Sequence, residues 1–303
     1  MDRGLSLAGR NEAARMGDIL AQEWRQQVIE YVEKCHLEDG GYFFAQVAPS
    51  NCRDTYFAIG SLRLLGIRPP EISETVRFVV QQSRVSTGLG LLFGVFFITE
   101  SLRQLGCSVG WLSEEYAPWI LRLQDGSGGF GHGVCLIDVF SELENTYMAV
   151  KTLKALGITR WNERKAVDFV LSYMNSDGGF GEGGCSNLMS TYYAAEILTL
   201  IGHGLRGITG LARYLREVER NWDKLYFLDQ VFFLISAQSR LGQKPLFPEA
   251  VCDFVLQCQR TNGGFARARP IGISTLESTY HALAILSHIN ALSWKQPTRE
   301  IRH

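Results

Sequence analysis

Apolar residues fall into two alternating kinds of segment along this chain. In WRQQVIEYVEKC, ERKAVDFVLSYM and PEAVCDFVLQCQ they recur at i, i+3, i+4 and i+7 between charges, which predicts helices with one buried stripe. Pro248 sits near the start of the last, a place where a helix tolerates proline. The second kind is apolar on nearly every face and returns six times. The copies are DTYFAIGSLRLLG (54–66), GVFFITESLRQLG (94–106), NTYMAVKTLKALG (145–157), STYYAAEILTLIG (190–202), QVFFLISAQSRLG (230–242) and STYHALAILSHIN (278–290). Helices of this kind are buried all round. Their starts lie 40 to 51 residues apart, so the repeats carry loops of variable length.

Most amphipathic segments lead into an apolar one across a glycine-rich turn: DGGYF (39–43), DGSGGFG (125–131), DGGFG (177–181) and NGGFA (262–266). The Gly-Gly pair is expected to stop the first helix in a left-handed conformation while the next aromatic packs back. The second helix is expected to start at Asp54, Asn145, Ser190 or Ser278 as N-caps, and to end at the closing glycine. Six helical hairpins, one helix of each buried, predict an all-α fold, an α/α toroid with an inner ring inside an outer one. An open solenoid competes, but it usually exposes a polar concave face. The expected organisation is a flexible segment over 1–20, one toroid domain over 21–292 and a tail over 293–303.

Bulk properties narrow the partners. A net charge of −1 gives no general electrostatic reason to bind nucleic acid. Seven cysteines, an odd number with no CxxC, point to reduced thiols and a cytoplasmic setting. The amino terminus has no continuous apolar region, so it does not read as a secretory signal. The apolar run 89–98 is too short to span a bilayer and suits a buried helix or peripheral contact with a membrane surface.

The GGF turns, the [DNS]-T-Y helix starts and the six hairpins resemble the prenyltransferase β-subunit and squalene/terpene cyclase repeat superfamily, over about residues 28–290. WILRLQDGSGGFG and FVLQCQRTNGGFA are similar to its Gln-aromatic repeats. The resemblance implies a central funnel, lined by the second helices, in which members handle isoprenoids. It does not choose a reaction.

Catalytic prenyltransferase β-subunits bind zinc through an Asp-x-Cys-Tyr segment in the fifth repeat and a His in the sixth. LDQVFF here supplies Asp229 but has Val231 for the Cys and Phe232 for the Tyr, while ESTYHA supplies His281. An aliphatic side chain cannot ligate, and two ligands are too few for a tight site, so no cofactor is expected, with zinc at an incomplete Asp229–His281 site as the alternative. The family's diphosphate-binding Arg and Lys positions hold Asp223 and Tyr226. Arg269-Pro270 keeps a family-like basic-proline pair, which makes Arg269 a candidate substrate contact. This reading also implies an α-subunit partner.

Acid-initiated cyclases resemble the chain elsewhere. Their Asp-x-Asp-Asp-Thr segment superposes on Glu142-Leu143-Glu144-Asn145-Thr146, with Glu144 where the proton donor falls. A carboxyl held neutral in an apolar funnel has a raised pKa, and a neighbouring carboxylate helps it keep its proton. Glu144, Asp229 and Glu277 share one repeat position and are expected to line one rim, with Asp138 just upstream. Capping of helix N-termini is the structural alternative for each acid.

Aromatic side chains form a second row: Tyr56, Phe96, Tyr147, Tyr192, Phe232 and Tyr280 share one position, and Phe57, Phe97, Tyr193 and Phe233 follow directly. Their faces suit a prenyl chain or a carbocation; the alternative is packing between helix layers. His281 has an alternative too, a hydrogen bond to Glu277 one turn earlier. The leading expectation is metal-independent cyclisation of an isoprenoid begun by Glu144, with Glu142, Asp138, Asp229 and His281 in support. A divergent prenyltransferase β-like subunit is the second reading. A non-catalytic isoprenoid- or partner-binding toroid, or a cyclase of a non-terpenoid polyene, is the third.

Overall fold

The computed structural model describes residues 23–89, 92–131 and 141–291. The predicted loose ends 1–20 and 293–303, and Asp138, lie outside the described residues. The helices, in chain order, are α1 (23–34), α2 (Cys52–Leu64), α3 (Ile72–Leu89), α4 (Leu92–Gln104), α5 (Ser113–Arg122), α6 (Glu142–Ala155), α7 (Glu163–Ser172), α8 (Leu188–Ile201), α9 (Leu211–Arg220), α10 (Leu228–Arg240), α11 (Pro248–Gln257) and α12 (Leu276–His288). Each even-numbered helix packs against the next, and α12 closes onto α2, which makes an inner ring of six. The odd-numbered helices lie outside it. No described helix is long and apolar enough to cross a membrane.

The inner helices end where the closing residue requires. Gly66, Gly106, Gly157, Gly202 and Gly242 all have positive φ, and Asn290, which closes the sixth copy, takes the same left-handed conformation at φ 57°. Their starts differ from expectation. The N-caps are Asn51, Ser141, Asn187 and Thr275, whose side chains accept from the backbone N–H of Asp54, Glu144, Ser190 and Ser278. The helices therefore begin about one turn before Asp54, Asn145, Ser190 and Ser278, because true caps precede those residues.

The glycine pairs also do a different job. The helices α5, α7 and α11 end at Arg122, Ser172 and Gln257, well before Gly128, Gly178 and Gly263. Instead the chain folds back, and each turn's aromatic bridges to the helix end, as in Gln124–Phe130, Met174–Phe180 and Gln259–Phe265. The glycines then form sockets for the following outer helix. A Cβ on Gly41 would lie 2.7 Å from Phe78 of α3, one on Gly129 2.6 Å from Phe169 of α7, one on Gly179 2.8 Å from Tyr214 of α9 and one on Gly264 2.6 Å from Tyr31 of α1. Only a residue without Cβ permits that approach.

The threonine of the T-Y starts ties this turn to the inner ring. The backbone N–H groups of Tyr42, Phe130, Phe180 and Phe265 donate to Thr55, Thr146, Thr191 and Thr279 Oγ1 at 3.0–3.1 Å. Val95 and Val231 occupy the same repeat position in the two copies that lack a Gly-Gly turn. Both are buried. Val231 thus stands where there is no turn amide to receive.

Candidate active site

One face of each inner helix points into the ring, and successive turns of that face build tiers. The uppermost, near the helix N-termini, holds Arg53, Glu144, Asp229 and Glu277. Two aromatic tiers follow. Tyr56, Phe96, Tyr147, Tyr192, Phe232 and Tyr280 form a closed circuit in which each ring centroid lies 5.4–6.3 Å from the next. Phe57, Phe97, Met148, Tyr193, Phe233 and His281 make the adjacent tier. The fourth tier, two turns below the mouth, is Gly60, Glu100, Lys151, Glu196, Ser236 and Ala284. Residues of all four tiers line one cavity of about 360 Å³, while Asp229, Gly60 and Glu100 stand beside it without lining it. Both aromatic rows therefore reach the funnel.

At the mouth each acid has a partner. Arg53 donates to both oxygens of Glu277 at 2.8 Å, and Arg267 donates to both oxygens of Asp229, at 2.9 Å at the closest. Glu144 is different. Its Oε1 accepts a hydrogen bond from Tyr193 Oη at 2.6 Å, and Arg53 and Glu277 lie close enough to influence it. Burial pushes the Glu144 carboxyl up; the Tyr193 bond and Arg53 bring it only partly back. Burial likewise raises Glu277 above the usual carboxylate range, against the pull of Arg53.

The remaining predicted residues divide between the cavity and the outside. His281 lines the funnel, stacked on Phe232 at 4.2 Å, and burial lowers its pKa to about 4, so it is neutral at neutral pH. Glu277 is held by Arg53, not by His281. Glu142 is exposed and accepts from Tyr173 Oη on the outer side of α6. It does not join Glu144, because residues two apart on a helix face different ways. Arg269 turns outward, donating to Gln257 Oε1 at 2.7 Å and lying over Phe254.

A family model described as the prenyltransferase alpha-alpha toroid domain matches residues 12–89, 82–225 and 223–301. The chain belongs to the prenyltransferase α/α-toroid domain family. A solved structure, Candida albicans protein geranylgeranyltransferase-I complexed with GGPP, matches with a TM-score of 0.70 and 17% identity, over 88% of this chain and 91% of that chain. At that identity the likeness shows the fold alone. No curated protein sequence matches the chain.

A zinc ion of the prenyltransferase β-subunit kind does not fit the residues of this toroid. Val231 is buried and offers no donor, and Asp229 is already engaged through both oxygens by Arg267. Among the described residues, no three His, Cys, Asp or Glu side chains converge to suit a metal ion. Cys252 and Cys258 are buried, with thiol pKa values raised to about 11 by burial.

Several funnel residues of this toroid carry no motif: Arg53, Glu100, Lys151, Glu196 and Arg240. Lys151 Nζ donates to Tyr147 Oη at 2.8 Å and lies 3.4 Å from Glu100 Oε2. Burial opposes its charge, and the phenols and Glu100 around it more than offset that, so the ammonium stays protonated. Glu196 is held by two hydrogen bonds from Arg240, at 2.5 and 2.9 Å. Aligning the repeats on their closing residues would have found three of them, since Glu100, Lys151 and Glu196 share one repeat position.

Proposed function

We propose that this toroid is an isoprenoid-processing enzyme that starts cyclisation by proton transfer from Glu144. The observation that carries this reading is the Glu144–Tyr193 hydrogen bond of 2.6 Å on the wall of an aromatic cavity. Burial favours the neutral acid, and the phenol stabilises the carboxylate left after transfer, so the group holds a proton yet can release it. The π electrons of an alkene take the proton and leave a carbocation beside the aromatic tiers, whose ring faces stabilise positive charge. Loss of a proton from the cyclised cation, passed through water to the Glu144 carboxylate, completes the reaction and restores the acid. No metal enters these steps.

Product analysis by mass spectrometry tests this, using geranyl, farnesyl and geranylgeranyl diphosphates and squalene, with chelator and with zinc and magnesium. A cyclic product that survives chelator and disappears in Glu144→Gln, while ligand binding persists, is expected. Full turnover in Glu144→Gln would remove Glu144 from the mechanism.

A second reading, a prenyltransferase β-like subunit, draws on the likeness to protein geranylgeranyltransferase-I. It predicts turnover only with a second chain, and metal in the purified complex by elemental analysis. Asp229 and Arg267 count against it, since their ion pair occupies the carboxylate that zinc would need.

A further inference from the structure

The fourth tier of the funnel holds a charge that proton transfer from Glu144 does not use. Lys151 Nζ lies over the rings of Phe96 and Tyr147, 5.5 and 5.2 Å from their centroids. Its nearest carboxylate, Glu100, is shared, because Arg103 donates to the other oxygen at 2.8 Å. Glu196 is committed to Arg240. Three cations, Lys151, Arg103 and Arg240, are thus set against two carboxylates, Glu100 and Glu196; Arg103 and Arg240 are half exposed to solvent, and Lys151 is the most buried of the three and lines the cavity. On the wall of the same cavity, Ser236 Oγ is buried without a hydrogen-bond partner in the protein.

An ammonium in this place works against a carbocation. It repels positive charge across an apolar space, where such repulsion is poorly screened. It also already occupies the faces of Phe96 and Tyr147 that would otherwise stabilise the cation. A substrate that brings its own anion to Lys151 removes both difficulties.

We infer that the fourth tier, at Lys151, is a binding subsite for a single carboxylate at one end of an apolar, unsaturated substrate. The substrate then lies with its anionic end on Lys151 and its reacting alkene at Glu144. Both residues lie on one face of α6, two turns apart, which sets the carboxylate and the protonated carbon roughly 10 Å apart at 1.5 Å per residue. A diphosphate brings more negative charge than the single ammonium can match, against Glu100 and Glu196. An alcohol adds no negative charge beside the ammonium. This inference rests on the Glu144 reading for the substrate's direction, but the carboxylate preference is measurable without turnover.

Isothermal titration calorimetry with farnesoate, farnesol and farnesyl diphosphate tests it. Wild-type protein should bind farnesoate at least tenfold more tightly than farnesol and more tightly than the diphosphate. Lys151→Met should lose that preference while keeping its affinity for farnesol, and Lys151→Arg should retain it. Equal binding of acid and alcohol by wild type, tighter binding of the diphosphate, no binding of farnesoate, or a preference that survives Lys151→Met would each overturn the subsite. The wild-type comparison stands even if Lys151→Met fails to fold. Glu144→Gln should keep the preference. A carboxylate preference without cyclic product would overturn the acid-initiated reaction and leave the subsite standing.

Discussion

Arg53 grips both carboxylate oxygens of Glu277 at 2.8 Å, joining the first inner helix to the last where the ring closes. Beside it Tyr280 packs against Gly60, where a Cβ would lie 2.8 Å from the ring, and Tyr280 also meets Tyr56 at 6.2 Å. The closure therefore rests on buried ring packing, with the ion pair at its solvent edge. Arg53→Met should cost no more than about 1 kcal/mol, as is usual for a partly exposed pair. Urea denaturation checks this, and a much larger loss would show that the ion pair itself holds the ring shut.

Glu144 and Glu277 both have folded pKa values raised by burial. The native state then binds more protons than the unfolded chain, so their contribution to stability falls as pH rises from the ordinary glutamate value of 4.5 through the raised values. Glu144→Gln should flatten that part of the stability-against-pH curve and stabilise the protein at neutral pH. Thermal melts across pH 4 to 8, a window set roughly by the direction of these shifts, read the slope. An unchanged slope would mean that Glu144 is ionised at little cost.

Tyr193→Phe removes the donor to Glu144 but keeps the ring. The carboxyl pKa should rise further, and turnover should fall by less than the roughly 10²–10⁴-fold that general-acid catalysis as a whole contributes. An upward move in the pH–rate profile separates this from simple loss of packing, which would leave the profile in place.

Thr191→Val would leave the buried amide of Phe180 without an acceptor. A cost of about 1–3 kcal/mol follows. The reverse change, Val231→Thr, should also destabilise, because that repeat has no turn amide to meet the new hydroxyl. Denaturant midpoints for both variants test the pairing of threonine with turn; a neutral Thr191→Val would break it.

Gly178→Ala meets both strain and collision. Gly178 has φ of 90°, and a Cβ would sit 2.2 Å from the backbone of Gly210. Losses of about 1–3 kcal/mol from each effect are expected. Gly207→Ala, where the added Cβ meets nothing within 4 Å, is the control and should stay within about 0.5 kcal/mol.

Much of the architecture was legible because each repeat declares its own helices. The closing glycines marked the inner-helix ends correctly, down to the left-handed Asn290. The helix starts were misplaced because Asp54, Ser190 and Ser278 suit an N-cap, whereas Asn51, Asn187 and Thr275 one turn earlier take that role. Adjacent acids misled for a geometric reason: Glu142 and Glu144 sit close in sequence but on different helix faces. The fourth tier stayed hidden because Glu100, Lys151 and Glu196 each read as one isolated charge in an apolar helix. Only closure of the ring brings α4, α6 and α8 side by side, so that those charges meet.

Among the described residues, glycine sockets join four of the six neighbouring pairs of outer helices. They link α11 to α1, α1 to α3, α5 to α7 and α7 to α9. Among the described residues, contact from α3 to α5 includes the Tyr116 hydroxyl donating to the Ser83 carbonyl. Between α9 and α11 the connection runs through Glu219, which accepts from the Leu246 amide, and through the edge of Trp222 on Phe254. These two joints lie opposite each other. Among the described residues, the outer ring is thus two interlocked crescents meeting along a diameter, joined there by side-chain contacts and not by seated glycines.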